Sequence, residues 1–358
     1  MRGAPGVTFL VPVHNGAQWL ADVLQSILTQ ADGRPMEILV VEDGSRDGSP
    51  DVLARYAQFG AIRVIPGPQR GAAAALNEGL RHATHGIVCQ VDQDVILQPG
   101  WMAHLVEALD EPRVAAAQGY YVTPPDGSVW ARVMGLDLED RYRRLAGCDV
   151  DHVCTGNTAY RAAVLREIGG FDETLGYGYD NDISYRLIDA GYRLVIRSDA
   201  RSIHRWRDAS WSYLVQQYGF GYGRLDLVAK HRRRLSGDAV SPLGMMLHAP
   251  LMTVAVASVG LAVVQAVAGA SAMLAAATAA GIVVLLACER LVAGVRVASA
   301  AGEPAALGFA PIHLARDLAW VTAIVVWSAR RLCGAAPRPS ASMWPRPAAG
   351  RVPERRTP

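Results

Sequence analysis

The sequence predicts an α/β fold with a mostly parallel sheet, followed by a C-terminal transmembrane helical hairpin. Two observations carry that prediction. From Val7 to Val91 the chain repeats strand, turn and helix at the spacing of βαβ units. Between Asp238 and Glu289 it then runs without an Asp, Glu, Lys or Arg, enough for two spans of roughly 20 apolar residues each. The 358 residues, 51% of them hydrophobic and with a net charge of +2, allow one large or two medium domains.

Val7–Val11 is an apolar, β-branched run that ends in the turn residues Pro12-Val13-His14-Asn15-Gly16. Residues 17–31 place Trp19, Leu20, Val23, Leu24, Ile27 and Leu28 at helical spacing. A second strand, Glu37–Val41, closes at Glu42-Asp43-Gly44-Ser45 before a helix over Ser49–Phe59. The third, Ile62–Ile65, runs into Gly67-Pro68-Gln69-Arg70-Gly71 and an alanine-rich helix ending near His82. The fourth, from Val88, stops at Asp92-Gln93-Asp94. Right-handed crossovers bring His14-Asn15, Glu42-Asp43 and Asp92-Gln93-Asp94 to one edge of the sheet, the carboxyl edge where such folds bind ligands.

Two carboxylates at the end of a buried strand demand a counter-charge. Asp-x-Asp is a hard oxygen donor set suited to Mg²⁺ or Mn²⁺ with positions left for phosphates. Its rival role is to cap the helix that follows Pro99.

Five cysteines form no Cys-x-x-Cys pair, and Cys148 to Cys154 has one cysteine too few for a zinc finger. Lys230 is the only lysine, which excludes a Gly-Lys-Ser/Thr phosphate loop and disfavours Schiff-base chemistry. The run Val7–Val13 is too short for a secretory signal.

In order and spacing, Pro12-Val13-His14-Asn15, Glu42-Asp43-Gly44-Ser45 and Asp92-Gln93-Asp94 resemble the family 2 glycosyltransferases. The resemblance continues through Thr155-Gly156-Asn157-Thr158-Ala159, Gly169-Gly170-Phe171-Asp172 and Asp180-Asn181-Asp182-Ile183-Ser184-Tyr185-Arg186-Leu187, and covers about residues 5–206. It implies a GT-A-type nucleotide-binding fold and an inverting, metal-dependent transfer from a nucleotide-diphosphate sugar. By this resemblance Pro12, His14, Asn15 and Asp43 hold the nucleotide, Asp92 sits by the ribose, and Asp94 binds the Mn²⁺ or Mg²⁺ that bridges the diphosphate. Asp180 is the general base. Gly156, Asn157 and Asp182 border the substrates, and His204 stands where many members carry a histidine in the metal or diphosphate shell.

The chain departs from the family at three positions. Tyr179 replaces the Glu that precedes the base, and Glu42 replaces an Asp. Leu76 stands where an Arg often precedes the Asn of the helix, here Asn77, so Arg70 is the expected substitute contact. The Gln-x-x-Arg-Trp segment of processive synthases is missing from Trp211–Arg224, which implies addition of one or a few sugars.

Lys230, Arg232, Arg233 and Arg234 precede the hairpin, and Arg290 and Arg296 follow it. The positive-inside rule puts both ends, and the catalytic domain, on the cytoplasmic side of the cell (inner) membrane. Leu318–Ala329 offers only twelve apolar residues before Arg330-Arg331, so an interfacial helix is expected there, with a third span as the alternative. The expected organisation is a cytoplasmic catalytic domain over 1–235, two transmembrane helices over 240–292, the interfacial helix or third span over 305–333, and a disordered, Pro- and Arg-rich tail over 334–358. The expected acceptor is lipid-linked or membrane-proximal, and no nucleic-acid partner is expected. Two other readings fit parts of the sequence: a catalytically inactive nucleotide-binding membrane scaffold, or a nucleotidyltransferase, though the latter needs a basic loop that His14-Asn15-Gly16 does not supply.

Overall fold

The computed structural model describes residues 5–334. Except for Gly334, the tail expected over 334–358 lies outside them. Eight strands form one sheet: β1 (Val7–Val13), β2 (Met36–Glu42), β3 (Arg63–Pro66), β4 (Ile87–Val91), β5 (Val95–Leu97), β6 (Val114–Val122), β7 (Asn157–Arg161) and β8 (Arg193–His204), in the order β3-β2-β1-β4-β7-β6-β8-β5. Helices α1 (Ala17–Leu28), α2 (Ser49–Ala57), α3 (Ala72–His82) and α4 (Trp101–Ala108) alternate with the first strands. They are followed by α5 (Val129–Leu145), α6 (Ala162–Glu167), α7 (Tyr179–Asp189) and α8 (Ser210–Lys230).

β1 to β4 pair in parallel, while β7 runs antiparallel to both β4 and β6, and β5 antiparallel to β8. The central parallel strands β1 and β4 are buried along nearly their whole length and β2 through its middle, as Phe9, Leu10, Leu39, Val40, Val88 and Cys89 show, while β3 lies at the sheet edge. Covering such a sheet on both faces requires continuous apolar strands rather than alternating ones, and that is the pattern read in the sequence.

The strand β8 runs on past Ile196 to His204, passing a register irregularity opposite Gln118–Tyr120 of β6. Its last residue pairs with Val95.

Three helices follow: α9 (Leu243–Val267), α10 (Met273–Ala301) and α11 (Phe309–Leu332). Each is long and apolar enough to cross a membrane. α9 and α10 expose Val264, Leu274 and Leu285 to more than half of their area, a density of apolar surface that belongs in lipid rather than water. The turn between them spans 268–272.

α11 is longer than the apolar run Leu318–Ala329 that marked it. Its 24 residues reach roughly 36 Å at 1.5 Å per residue, against a hydrocarbon core of about 30 Å. The charges that interrupt its apolar pattern are folded inward: Asp317 is buried and ion-paired with Arg290 of α10. Arg290 therefore lies inside α10 and not beyond the end of a span.

Candidate active site

The three chemically loaded turns meet at the carboxyl ends of β1, β2 and β4. His14 and Asn15 follow β1, with Asn15 in the left-handed region at φ 54°. Gln93 fixes this turn from the other side, its Oε1 accepting from the His14 amide at 2.8 Å and its Nε2 donating to the His14 carbonyl at 3.1 Å. The Asn15 side chain accepts from the Arg46 amide at 2.7 Å, and its own amide donates to Ser45 Oγ. Backbone amides of the first and second turns are thus held by side chains, which pre-forms the cleft.

Asp43 is buried at the end of β2. Its carboxylate accepts from the amides of Gln69 (2.5 Å) and Gly71 (3.2 Å), and so draws the loop after β3 across the β2 turn. Arg70, on that loop, is mostly exposed and ion-paired with Glu173 at 2.8 Å. Exposed pairs of this kind are worth at most about 1 kcal/mol, so Arg70 is free to exchange partners.

At the end of β4, Asp94 caps no helix. β5 begins at the next residue, and α4 starts after Gly100 without a side-chain cap, which removes the capping role. The Val95–His204 pairing sets His204 Nε2 3.7 Å from Asp94 Oδ1. The His204 ring is stacked on Trp206 at 3.7 Å between centroids and meets Tyr121 edge-on. Its Nδ1 is buried without a hydrogen-bond partner. Burial holds the imidazole down to about 4, only partly opposed by Asp92, so the ring is neutral at pH 7 and its nitrogens are free to ligate.

Asp92 accepts from Gln90 Nε2 at 2.8 Å and packs against Gly156. A methyl group on Gly156 would stand 2.2 Å from Asp92 Oδ2. Gly156→Ala is therefore expected to turn the Asp92 carboxylate out of place and to cost about 1–3 kcal/mol, read as a lowered chemical denaturation midpoint. An unchanged midpoint would show that the site gives way easily.

Burial, and then the neighbouring Asp94 charge, push the Asp92 carboxyl up to about 6. Burial raises Asp94 likewise, to about 6, against the pull of the Arg207 guanidinium. The pair is short of positive charge, which is the condition a divalent cation relieves. Among the described residues no three acidic, histidine or cysteine side chains gather closely enough to form a closed metal site. Asp94 and His204 fit an open one, completed by oxygens of a ligand, the usual habit of Mg²⁺ and Mn²⁺ beside phosphates.

Asp180 lies in the first turn of α7, which Gly178 enters in the left-handed region at φ 82°. One carboxylate oxygen accepts from the Asn181 amide at 2.9 Å. Burial raises its pKa, partly countered by His152. Tyr179, the departure from the family pattern, packs edge-on against Phe171 at 6.1 Å between centroids.

Other expected site residues lie behind the cleft. Asp182 is wholly buried, with Arg186, Lys230 and His231 on its oxygens at 2.9, 2.6 and 2.7 Å. In this arrangement it ties α7 to the end of α8 and cannot touch an acceptor. Both ends of the Asn77 amide clamp the Phe171 backbone at 2.8 Å, and Asn157 is fully buried, accepting from Trp101 Nε1 at 2.6 Å. Pro12, within β1, positions the turn that follows it. Sequence reasoning missed Gln93, Trp206 and Arg207. The charged and aromatic run His204-Arg205-Trp206-Arg207 was the available signal for the last two.

A GT-A-type sheet with acidic turns on its carboxyl edge, the Asp94–His204 pair and the buried Asp180 carboxylate fit the chemistry of nucleotide-sugar transfer. Residues 8–169 match the family model described as Glycosyl transferase family 2. The pre-mycofactocin glycosyltransferase of Mycobacterium tuberculosis is 29% identical over 249 residues, 67% of this chain and 51% of the relative. The glycosyltransferase AglE of Haloferax volcanii is 25% identical over 62% of this chain and 74% of its own length. The chain thus spans about half the length of the first of these relatives. The mannosyltransferase PcManGT of Pyrobaculum calidifontis, solved in complex with GDP-Man and Mn²⁺, has a similar fold, with a TM-score of 0.58 at 22% identity over 91% of this chain and 90% of that one.

Proposed function

We propose that the chain moves a single sugar, or a few, from a nucleotide-diphosphate sugar to a hydroxyl acceptor presented at the membrane, inverting the anomeric centre. The observation that carries this reading is the Val95–His204 pairing, which sets a neutral imidazole beside an uncompensated Asp94 carboxylate. Opposite requirements meet at the anomeric carbon: the departing diphosphate needs neutralising, and the attacking hydroxyl must lose a proton. Asp94 and His204 would hold a divalent ion, Mn²⁺ or Mg²⁺, which acts as a Lewis acid on the diphosphate without proton transfer. The His14–Asn15 turn and the loop drawn in by Asp43 enclose the nucleotide, with Arg70 released from Glu173 toward it. Asp92 borders the ribose.

Asp180 takes the acceptor proton. Its burial-raised pKa makes it a stronger base than an exposed aspartate, and turnover is expected to fall as pH drops through that raised value. The acceptor is proposed to be lipid-linked or membrane-proximal, because α8, which carries Lys230 next to Asp182, packs on α11. On the positive-inside rule the catalytic domain faces the cytoplasm, at the cell (inner) membrane, where nucleotide sugars are made.

Purified protein, a panel of nucleotide sugars, Mn²⁺ and a membrane lipid extract test this reading through release of nucleoside diphosphate. Extract-dependent release from one donor, abolished by chelation, is expected. Silence across the panel would favour the inactive scaffold.

Metal affinity carries a pH signature. The folded pKa of Asp92 and Asp94, about 6, lies above the ordinary 3.8, so without metal these groups favour folding below about pH 4, an advantage lost as pH rises to 6. Cation binding requires the Asp94 ligand ionised, so Mn²⁺ should bind roughly fourfold more weakly at pH 5.5 than at pH 7.5. Calorimetric titration at the two pH values measures this, and equal affinities would place the ion elsewhere.

A further inference from the structure

A cavity of about 800 Å³ lies where α5 meets the domain-side ends of α9, α10 and α11. None of Asp92, Asp94, Asp180 or His204 lines it. Five arginines and three carboxylates do, an excess of two positive charges that is unchanged when Arg143 and Asp317, just behind its wall, are counted. That charge is concentrated at the rim. Asp140, buried on α5, is faced by Arg143, Arg144 and Arg296 at 2.6, 2.8 and 3.1 Å, all three about half exposed. One carboxylate cannot neutralise three guanidiniums. Deeper in, Arg290 is 2% exposed and its Nε is buried without a hydrogen-bond partner.

The outer wall differs in character. Leu285 and Val292 of α10 line the cavity and are 60% and 70% exposed on the surface that would face lipid. An occupant must therefore offer an anion with several acceptor oxygens at one end and an apolar chain at the other. The cavity also lies at the end of the apolar helices nearest the catalytic domain, the depth at which bilayer headgroups sit.

We infer that this cavity seats the headgroup of an anionic bilayer phospholipid, its phosphodiester held by Arg144 and Arg296 and its acyl chain lying along Leu285 and Val292. Arginine suits this role because its planar fork meets phosphate oxygens two at a time. The bound lipid would neutralise the surplus positive charge around Asp140 and pin the catalytic domain to the bilayer, apart from any acceptor it works on.

The test is native mass spectrometry of the full-length protein released from phosphatidylglycerol or phosphatidylcholine nanodiscs. The wild type is expected to keep one phosphatidylglycerol in preference to phosphatidylcholine. The double variant Arg144→Gln/Arg296→Gln should keep about tenfold less, with circular dichroism and Mn²⁺ affinity intact. The double Lys variant should retain the lipid, and so should Asp180→Asn. Equal retention of the two lipids, undiminished retention in the Gln variant, or loss in Asp180→Asn would overturn the proposal, the last by placing the lipid at the transfer site. Displacement of phosphatidylglycerol by soluble glycerol 3-phosphate at equal concentration would also overturn it, since the site would then read phosphate alone.

Discussion

Asp180→Asn should lower turnover by about 10²–10⁴-fold while leaving donor affinity and thermal stability near those of the wild type. The amide keeps the shape of the carboxylate and can still accept from the Asn181 amide, so the start of α7 is preserved. It cannot take a proton. The substitution also relieves the burial of a charge, which argues against any loss of stability. Steady-state release of nucleoside diphosphate, beside calorimetric binding of the same donor, separates the effects. A variant that binds the donor and turns it over at the wild-type rate would move the base away from Asp180.

Asp94→Asn should act on the donor side of the proposed site. Removing one charge from the Asp92–Asp94 pair leaves His204 as the sole strong protein ligand for the ion. Mn²⁺ affinity should fall steeply and turnover by about 10²–10³-fold. The aromatic frame of His204, built from Trp206 and Tyr121, does not involve Asp94 and should hold the imidazole in place. Bound Mn²⁺ is countable by electron paramagnetic resonance. Full occupancy in this variant, at metal concentrations that just saturate the wild type, would exclude Asp94 as a ligand.

The sequence made the first half of the fold legible because β1 to β4 are built from local signals. Each strand is largely apolar and ends in turn residues, and β1, β2 and β3 lead into helices of clear periodicity, so Asp43, Asp92 and Asp94 were placed on one edge without any long-range information. The antiparallel strands are different. β5 is three residues long, and its partner β8 lies about a hundred residues downstream, so neither the pairing nor the continuation of β8 to His204 has a local signature. Yet that pairing is what brings His204 to Asp94.

Buried polar residues were misread for a related reason. Asp182 carries the same charge in the sequence as Asp180, two residues away, and only the arrival of Lys230 and His231 from the end of α8 separates a structural carboxylate from a candidate base. Asn77 likewise resembles a ligand contact until Phe171 is seen to occupy it. In α11 the charges that shortened the apparent apolar run are paired inside the structure, Asp317 with Arg290 of α10 and Arg316 with Asp137 of α5.

The central claim is that a diphosphate leaves from the Asp94 end while Asp180 deprotonates the acceptor at the other, in one displacement. The anomeric configuration of the first product, determined by nuclear magnetic resonance, tests it most directly. The account predicts inversion relative to the donor. A product that retains the donor configuration would contradict it.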